Sequence, residues 1–214
     1  MKTTIKRMLA VLLAALLLVT AFSVTGFAED GTEAPAEPVY VARMYICARV
    51  VFFGHVWIYI ENLTDHDLRV GVYTLPQGEG VSVGTMSTSR VDGKGIYYNV
   101  EAYMIHKMGG SGTVGRNMLL TQEQLDTVNG QILARNSWSM SKNCCDFATR
   151  VWNSVSDSRV SYHMLPIVVK GRIGSGGAPH MMKPAKSNVF KQHGNGEGAT
   201  LSRVSSASLV MFVG

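Results

Sequence analysis

Asn143-Cys144-Cys145-Asp146-Phe147-Ala148-Thr149-Arg150-Val151-Trp152 reads as the opening of a short amphipathic helix with thiols at its mouth. Asn143 is a favourable N-cap, able to accept from the amides of the first turn, and Asp146 falls at the third helical position. Phe147, Val151 and Val155 recur along one face. If Cys144 is the first helical residue, its thiol lies near unsatisfied amides and the positive end of the helix dipole. Both favour the thiolate, the nucleophilic form. Cys144 then shares a face with Phe147, Ala148 and Val151, whereas Cys145 points about 100° away. Spacing alone does not decide which thiol faces a cleft.

Far upstream, Gly54-His55-Val56-Trp57-Ile58-Tyr59-Ile60 puts a histidine on an apolar strand. A thiol at a helix start and an imidazole on a strand are the two parts needed to make and use a thiolate nucleophile. The same residues admit plainer readings. Free cysteines are often small core residues, and a histidine on an apolar strand is often a core or edge residue. Cys47, the third cysteine, could also pair with Cys144 or Cys145 in an oxidising setting.

The segments between these motifs predict an α+β domain over residues 39–214. Val39-Tyr40-Val41, Met44-Tyr45-Ile46-Cys47 and the run 50–60 are strand-like. A polar turn at 62–67 and the alternation of Leu68-Arg69-Val70-Gly71-Val72-Tyr73 predict a hairpin with the histidine strand. Residues 76–80 read as a loop. Two more strands, 81–85 and 95–103, flank a turn at Asp92-Gly93, so the sheet is expected to be antiparallel. Residues 106–116 are glycine-rich and read as a mobile loop bordering the cleft. Thr121 with Gln124 forms a capping-box pattern, opening a helix marked by Leu125, Val128, Ile132 and Leu133 that runs through Asn136. A linker, 137–142, leads to the cysteine helix. Over 157–214 the signal weakens, with only 165–169 and 209–213 strand-like.

Residues 1–28 have the form of an export leader: Lys2, Lys6 and Arg7, then an apolar run from Met8 to Val19, then Gly26-Phe27-Ala28 as a cleavage site. The following residues 29–38 read as a flexible acidic, proline-containing tether. Later in the chain there is no apolar run of the roughly 18 to 20 residues needed to span a bilayer. A secreted, extracellular or cell-envelope protein with no stable membrane span is therefore expected. Without the leader's three basic residues, 17 basic face 15 acidic side chains, a net charge of +2. That balance gives no argument for nucleic acid. The other histidines, His66, His106, His163, His180 and His193, lack metal-ligand spacing, and Gly109-Gly110-Ser111-Gly112 is not followed by the Lys-Ser/Thr of a phosphate loop. Neither a metal nor a cofactor is expected.

The Gly-His strand, and the Asn-Cys-x-x-Phe-Ala stretch followed by tryptophan, resemble the circularly permuted branch of the NlpC/P60-type papain-like superfamily. In that branch the histidine strand precedes the cysteine helix. The resemblance covers roughly residues 40–155. It implies a permuted papain-like fold, an antiparallel sheet packed against the helix that bears the nucleophile. It implies His55 as general base, Cys144 as nucleophile, and Asn143 at the cap beside the oxyanion region. Cys145 falls at a variable position, and Phe147 and Ala148 are packing residues. In related permuted enzymes the polar residue that orients the imidazole comes from a strand next to the histidine strand. A simple hairpin would put Thr74 opposite His55, and Glu101 on a later strand is the other candidate. The implied activity is a secreted cysteine hydrolase that cleaves an amide bond, with peptidoglycan peptides as the suggested substrate. The alternatives are an acyl-lipid thioesterase or acyltransferase, and a catalytically inactive binding module of the same fold.

Overall fold

The computed structural model describes residues 37–50, 54–87, 93–181, 184 and 186–205. The leader, most of the tether, the Asp92 side of the expected turn and the run 209–213 lie outside them. Backbone contacts divide the chain at Pro38, and the unit Val39–Gly214 carries every element found among the described residues.

The fold is α+β. Its strands are β1 Ala42–Arg49, β2 His55–Asn62, β3 Leu68–Val70, β4 Tyr73–Leu75, β5 Gly80–Met86, β6 Gly95–Tyr98, β7 Thr113–Leu120, β8 Phe190–His193 and β9 Thr200–Arg203. Seven of them form one sheet in the order β7-β1-β2-β5-β6-β8-β9, with every neighbouring pair antiparallel. The two short strands β3 and β4 form a hairpin of their own. Four helices are described: α1 Val100–Met108, α2 Gln122–Leu133, α3 Cys144–Asn153 and α4 Pro166–Ile173.

Alternation along β1 and β2 sorts their side chains onto two faces. Met44, Ile46, Val56, Ile58 and Ile60 face a core shared with Leu125, Val128 and Ile132 of α2, Phe147 and Val151 of α3, and Val169 and Ile173 of α4. Tyr45, Cys47, Trp57 and Tyr59 face the other way, packing with Ala102 of α1 and with Met181. The sheet is thus a buried middle layer, and α1 and α3 lie on opposite sides of it.

Four expectations are corrected. First, residues 68–73 do not return along the histidine strand. Gly71 has φ +58° and lies so close to the Tyr98 hydroxyl and Ile132 that a Cβ would overlap them. The run folds back there onto β4, and Asn129 of α2 clamps it by accepting from the Gly71 amide at 2.8 Å and donating to the Arg69 carbonyl at 3.0 Å. The partners of β2 are β1 and β5 instead.

Second, the strand expected over 95–103 ends at Tyr98. Asn99 takes a left-handed conformation, φ 65°, and α1 begins at Val100. Third, the glycine-rich loop contracts to residues 109–112. His106 lies in the last turn of α1, and Thr113–Leu120 pairs along the whole length of β1. Gly115 suits this edge because a Cβ there would come within 3.2 Å of the Gly177 carbonyl and 3.3 Å of Pro179, and Val114 forms an isolated bridge with Gly177. Fourth, residues 165–169 open a helix and not a strand. Pro166 occupies its first turn, where its fixed φ and missing N–H cost nothing, and Val169 and Ile173, one turn apart, are the residues it buries.

Candidate functional site

The start of α3 has the geometry its sequence predicts. Asn143 is extended, and its Oδ1 accepts from the amides of Cys145 at 3.0 Å and Asp146 at 3.2 Å. Its Nδ2 donates to the carbonyls of Met140 at 3.3 Å and Met164 at 2.9 Å. One side chain therefore caps the helix and ties together the two loops beside it. Since the cap takes the Cys145 and Asp146 amides, the Cys144 amide is the first-turn donor it leaves over. Cys144 is 9% exposed and Cys145 is fully buried.

All three cysteines are free thiols. Cys47 faces the α1 side of the sheet, away from the other two. Burial, reinforced by the charges of Glu101 and Glu61, pushes its thiol well above the usual range, so it stays protonated. Cys144 goes the other way. A hydrogen bond from the Cys145 thiol lowers its pKa most. Burial opposes that shift, while the charge and hydrogen bond of His55 and a hydrogen bond from the Val56 amide add to it. Cys145 is correspondingly pushed up by its bond to Cys144 and by burial. The vicinal pair thus divides into a thiolate and a thiol that donates to it.

His55 is the first residue of β2, a quarter exposed. Gly54 before it has φ +76°, and a Cβ there would stand 2.9 Å from Pro166 Cβ. The glycine of the Gly-His pair is therefore needed both for its backbone angle and for the approach of α4. The imidazole stacks on Trp57, two residues on along the same strand face, with ring centroids 5.9 Å apart and planes within 13°. Its Nε2 lies 2.9 Å from Glu101 Oε1, which leaves Nδ1 for the cysteine. Burial alone would lower the His55 pKa. The Cys144 thiolate, by charge and hydrogen bond, and then Glu101 outweigh burial and raise it to about 10. Thiolate and imidazolium stabilise one another.

Glu101 is 3% exposed, in the first turn of α1 and not on a strand. Its second oxygen accepts from Ser82 Oγ at 2.9 Å, and that hydroxyl accepts from the Ala102 amide at 3.2 Å. Ser82 also holds the turn before α1: its carbonyl accepts from the Asn99 amide at 2.8 Å, and Asn99 Oδ1 accepts from its amide at 3.4 Å. A buried carboxylate is costly unless hydrogen-bonded, and here both of its oxygens have partners. Two residues along β5, a Cβ on Gly84 would overlap Glu101 Oε1 and come within 3.1 Å of His55 Nε2. The histidine–carboxylate contact occupies the space a side chain would need.

The structure therefore brings together Cys144, His55, Glu101 and Asn143, and it separates Thr74. That threonine is exposed and pairs with Arg69 in the small hairpin, whereas Arg49 stands opposite His55. Arg49 Nε also donates to the Ser111 carbonyl at 3.3 Å, which puts the 109–112 turn at the same end of the sheet as His55. The other flank is formed by residues 140–143 and 162–167, tied to the cap through Met164 and to Gly54 through Pro166.

Ser82 and Gly84 escape sequence reasoning. The available signal is that two small residues at i and i+2 share one face of an otherwise apolar strand, which marks a face where something else must fit. Among the described residues, no three His, Cys, Asp or Glu side chains group as a metal site, and no helix is long and apolar enough to cross a membrane. Comparisons with protein-family models, with curated proteins and with solved structures each find no match.

Proposed function

We propose that this chain is a cysteine hydrolase of the permuted papain-like kind, exported, with a cell-wall peptide amide as substrate. The observation that carries this reading is the relay from buried Glu101 through His55 to Cys144 at a capped helix start. Thiolate, base and orienting carboxylate stand in the order such chemistry needs.

In this mechanism the Cys144 sulfur attacks the amide carbon, and the carbonyl π electrons move onto oxygen. The Cys144 N–H, the first-turn donor the cap leaves over, stabilises that oxyanion. As the C–N bond breaks, the imidazolium of His55 gives its proton to the leaving amine. A water then loses a proton to His55 and attacks the thioester, releasing the acid and restoring the thiolate and imidazolium. Glu101 keeps the ring oriented and supports its positive charge throughout.

A second reading, an acyl-lipid thioesterase or acyltransferase, is favoured by one observation. Met140, Tyr162, Met164, Leu165 and Ile167 are all exposed, and they belong to the two segments that flank the Cys144 cap. An apolar rim of this kind suits an acyl chain.

Incubation of the protein with muropeptides should release a free amine and a carboxylate, and Cys144→Ser should remove the activity. If muropeptides stay intact while short acyl thioesters or phospholipids are turned over by wild type alone, the second reading replaces the first. No turnover of any of these, together with a Cys144 that resists alkylation, would make the domain a binding module.

A further inference from the structure

A cleft of about 480 Å³ opens between α2, α3 and the loop after α3. That volume lies within the range of small-ligand sites, about 300–1,000 Å³. Its charged lining is unbalanced: Arg135, Arg150 and Arg159 face a single carboxylate, Asp146. Two of the guanidiniums are held in place. Gln131 Oε1 accepts from Arg135 Nε at 3.1 Å and from its terminal nitrogen at 2.8 Å, and Asp146 Oδ1 accepts from Arg150 Nε at 2.6 Å. The Arg159 side chain has no hydrogen bond or ion pair among the described residues. Gln131 orients Arg135 without neutralising it. Burial and then the repulsion of Arg150 lower the Arg135 pKa, with Asp146 only opposing them. Three cations and one anion leave a charge of +2 around a concave space.

We propose that this cleft binds a small dianionic group, a phosphate or a pair of carboxylates, through Arg135, Arg150 and Arg159. Guanidinium forks match two oxygens at once, which a point charge does not. Two negative charges would balance the lining. The site does not depend on Cys144 chemistry, and it is tested without it.

The experiment is a calorimetric titration of the full chain carrying Cys144→Ser. The probes are inorganic pyrophosphate, glutarate and the uncharged glutaramide, each at low and high salt. The expected result is saturable one-to-one binding of at least one of the two anions, weakened by salt, with none for glutaramide. The double variant Arg135→Gln/Arg159→Gln should weaken binding by about tenfold or more, the size of one charge-assisted hydrogen bond. Arg159→Gln alone, at an exposed position, should weaken it by at least about threefold and covers the case where the double variant does not fold. Binding of pyrophosphate alone assigns a phosphate, and binding of glutarate alone assigns carboxylates. The proposal is overturned if neither anion binds, if glutaramide binds as well as glutarate, or if the folded arginine variants bind like the parent. Because the protein used is already without its nucleophile, none of these outcomes bears on the hydrolase reading.

Discussion

Two helices begin beside the same imidazole, from opposite faces of one sheet, and they begin in different ways. At α3 the side chain of Asn143 caps the first turn by accepting from the amides two and three residues on, so the cap itself is a local bond. At α1 the side chain of Asn99 makes no cap bond; the backbone is left-handed, and the amide group reaches Asn188, Tyr73 and Ser82. Cys144 sits behind a cap made by local bonds, and Glu101 behind a helix start held by tertiary ones. Damage near Cys144 should therefore stay local, while damage near Glu101 should spread into the sheet.

The largest effect is expected where the two helix starts meet. His55→Ala should slow iodoacetamide alkylation of Cys144 at pH 6.5 by up to about a hundredfold, the limit set by a thiol of ordinary pKa near 8.5 that is about 1% ionised there; the Cys145 hydrogen bond that remains keeps the loss below that limit. The sign follows from the shifts: a lowered thiol pKa keeps the thiolate present as pH falls, and His55, raised to about 10, stays protonated through the neutral range. Wild type should thus show a flat rate through neutral pH, and the variant a rising one that catches up above about pH 9. Superimposable profiles would show that the two residues do not communicate.

Gly84→Ala tests the tertiary half of the comparison. The new methyl needs the space of the His55–Glu101 contact, so denaturant melts should register a loss of about 1–3 kcal/mol together with slower alkylation. Full stability with an unchanged rate would mean that the carboxylate is not held there.

Glu101→Gln removes the charge but keeps the shape. Its cost should appear as a fall of about 1 to 2 pH units in the His55 titration midpoint followed by NMR, given about 1.5–3 kcal/mol for a hydrogen bond to a charged group. Ser82→Ala should move the midpoint the same way and less far. An unmoved midpoint in both would leave Glu101 a purely structural residue.

The helix starts themselves give the smallest changes. Asn99→Ala forces a Cβ-bearing residue with no compensating polar group to stay left-handed and should cost about 1–2 kcal/mol. Asn143→Ala should cost about 1 kcal/mol. If Asn143→Ala proves the more damaging to stability, the contrast between a local and a tertiary helix start is wrong.

The same contrast governs what can be read from the chain. Asn143, Cys144 and the Thr121–Gln124 box are short-range patterns, and each appears in the structure where the sequence puts it, although α2 stops at Leu133 short of the expected Asn136 and α3 ends at Asn153 before Val155. The Tyr97-Tyr98-Asn99-Val100 run is rich in strand formers, and only the fit of Asn99 against Ser82 and Asn188 turns it into a helix. Residue type alone therefore makes Glu101 a candidate while its neighbours suggest the wrong kind of element for it. Thr74 falls opposite His55 only in a simple hairpin, and Gly71, packed under Tyr98 and Ile132, redirects that hairpin. Over 157–214, glycine and serine conceal α4 and the last two strands, β8 and β9, whose order comes from the sheet they join.

One long edge of that sheet is already occupied. Along β7, Val114 bridges Gly177, and the Gly115 amide donates to the Gly176 carbonyl at 3.1 Å. A bare strand edge is a template on which another chain can add. The segment around residues 176–177 thus covers that edge at Val114 and Gly115. Gly176 allows the close approach, since a Cβ there would overlap the Gly115 carbonyl. A bulkier residue at 176 would push this segment away and bare the strand at Val114 and Gly115 to another chain, an adhesive margin in place of a covered one.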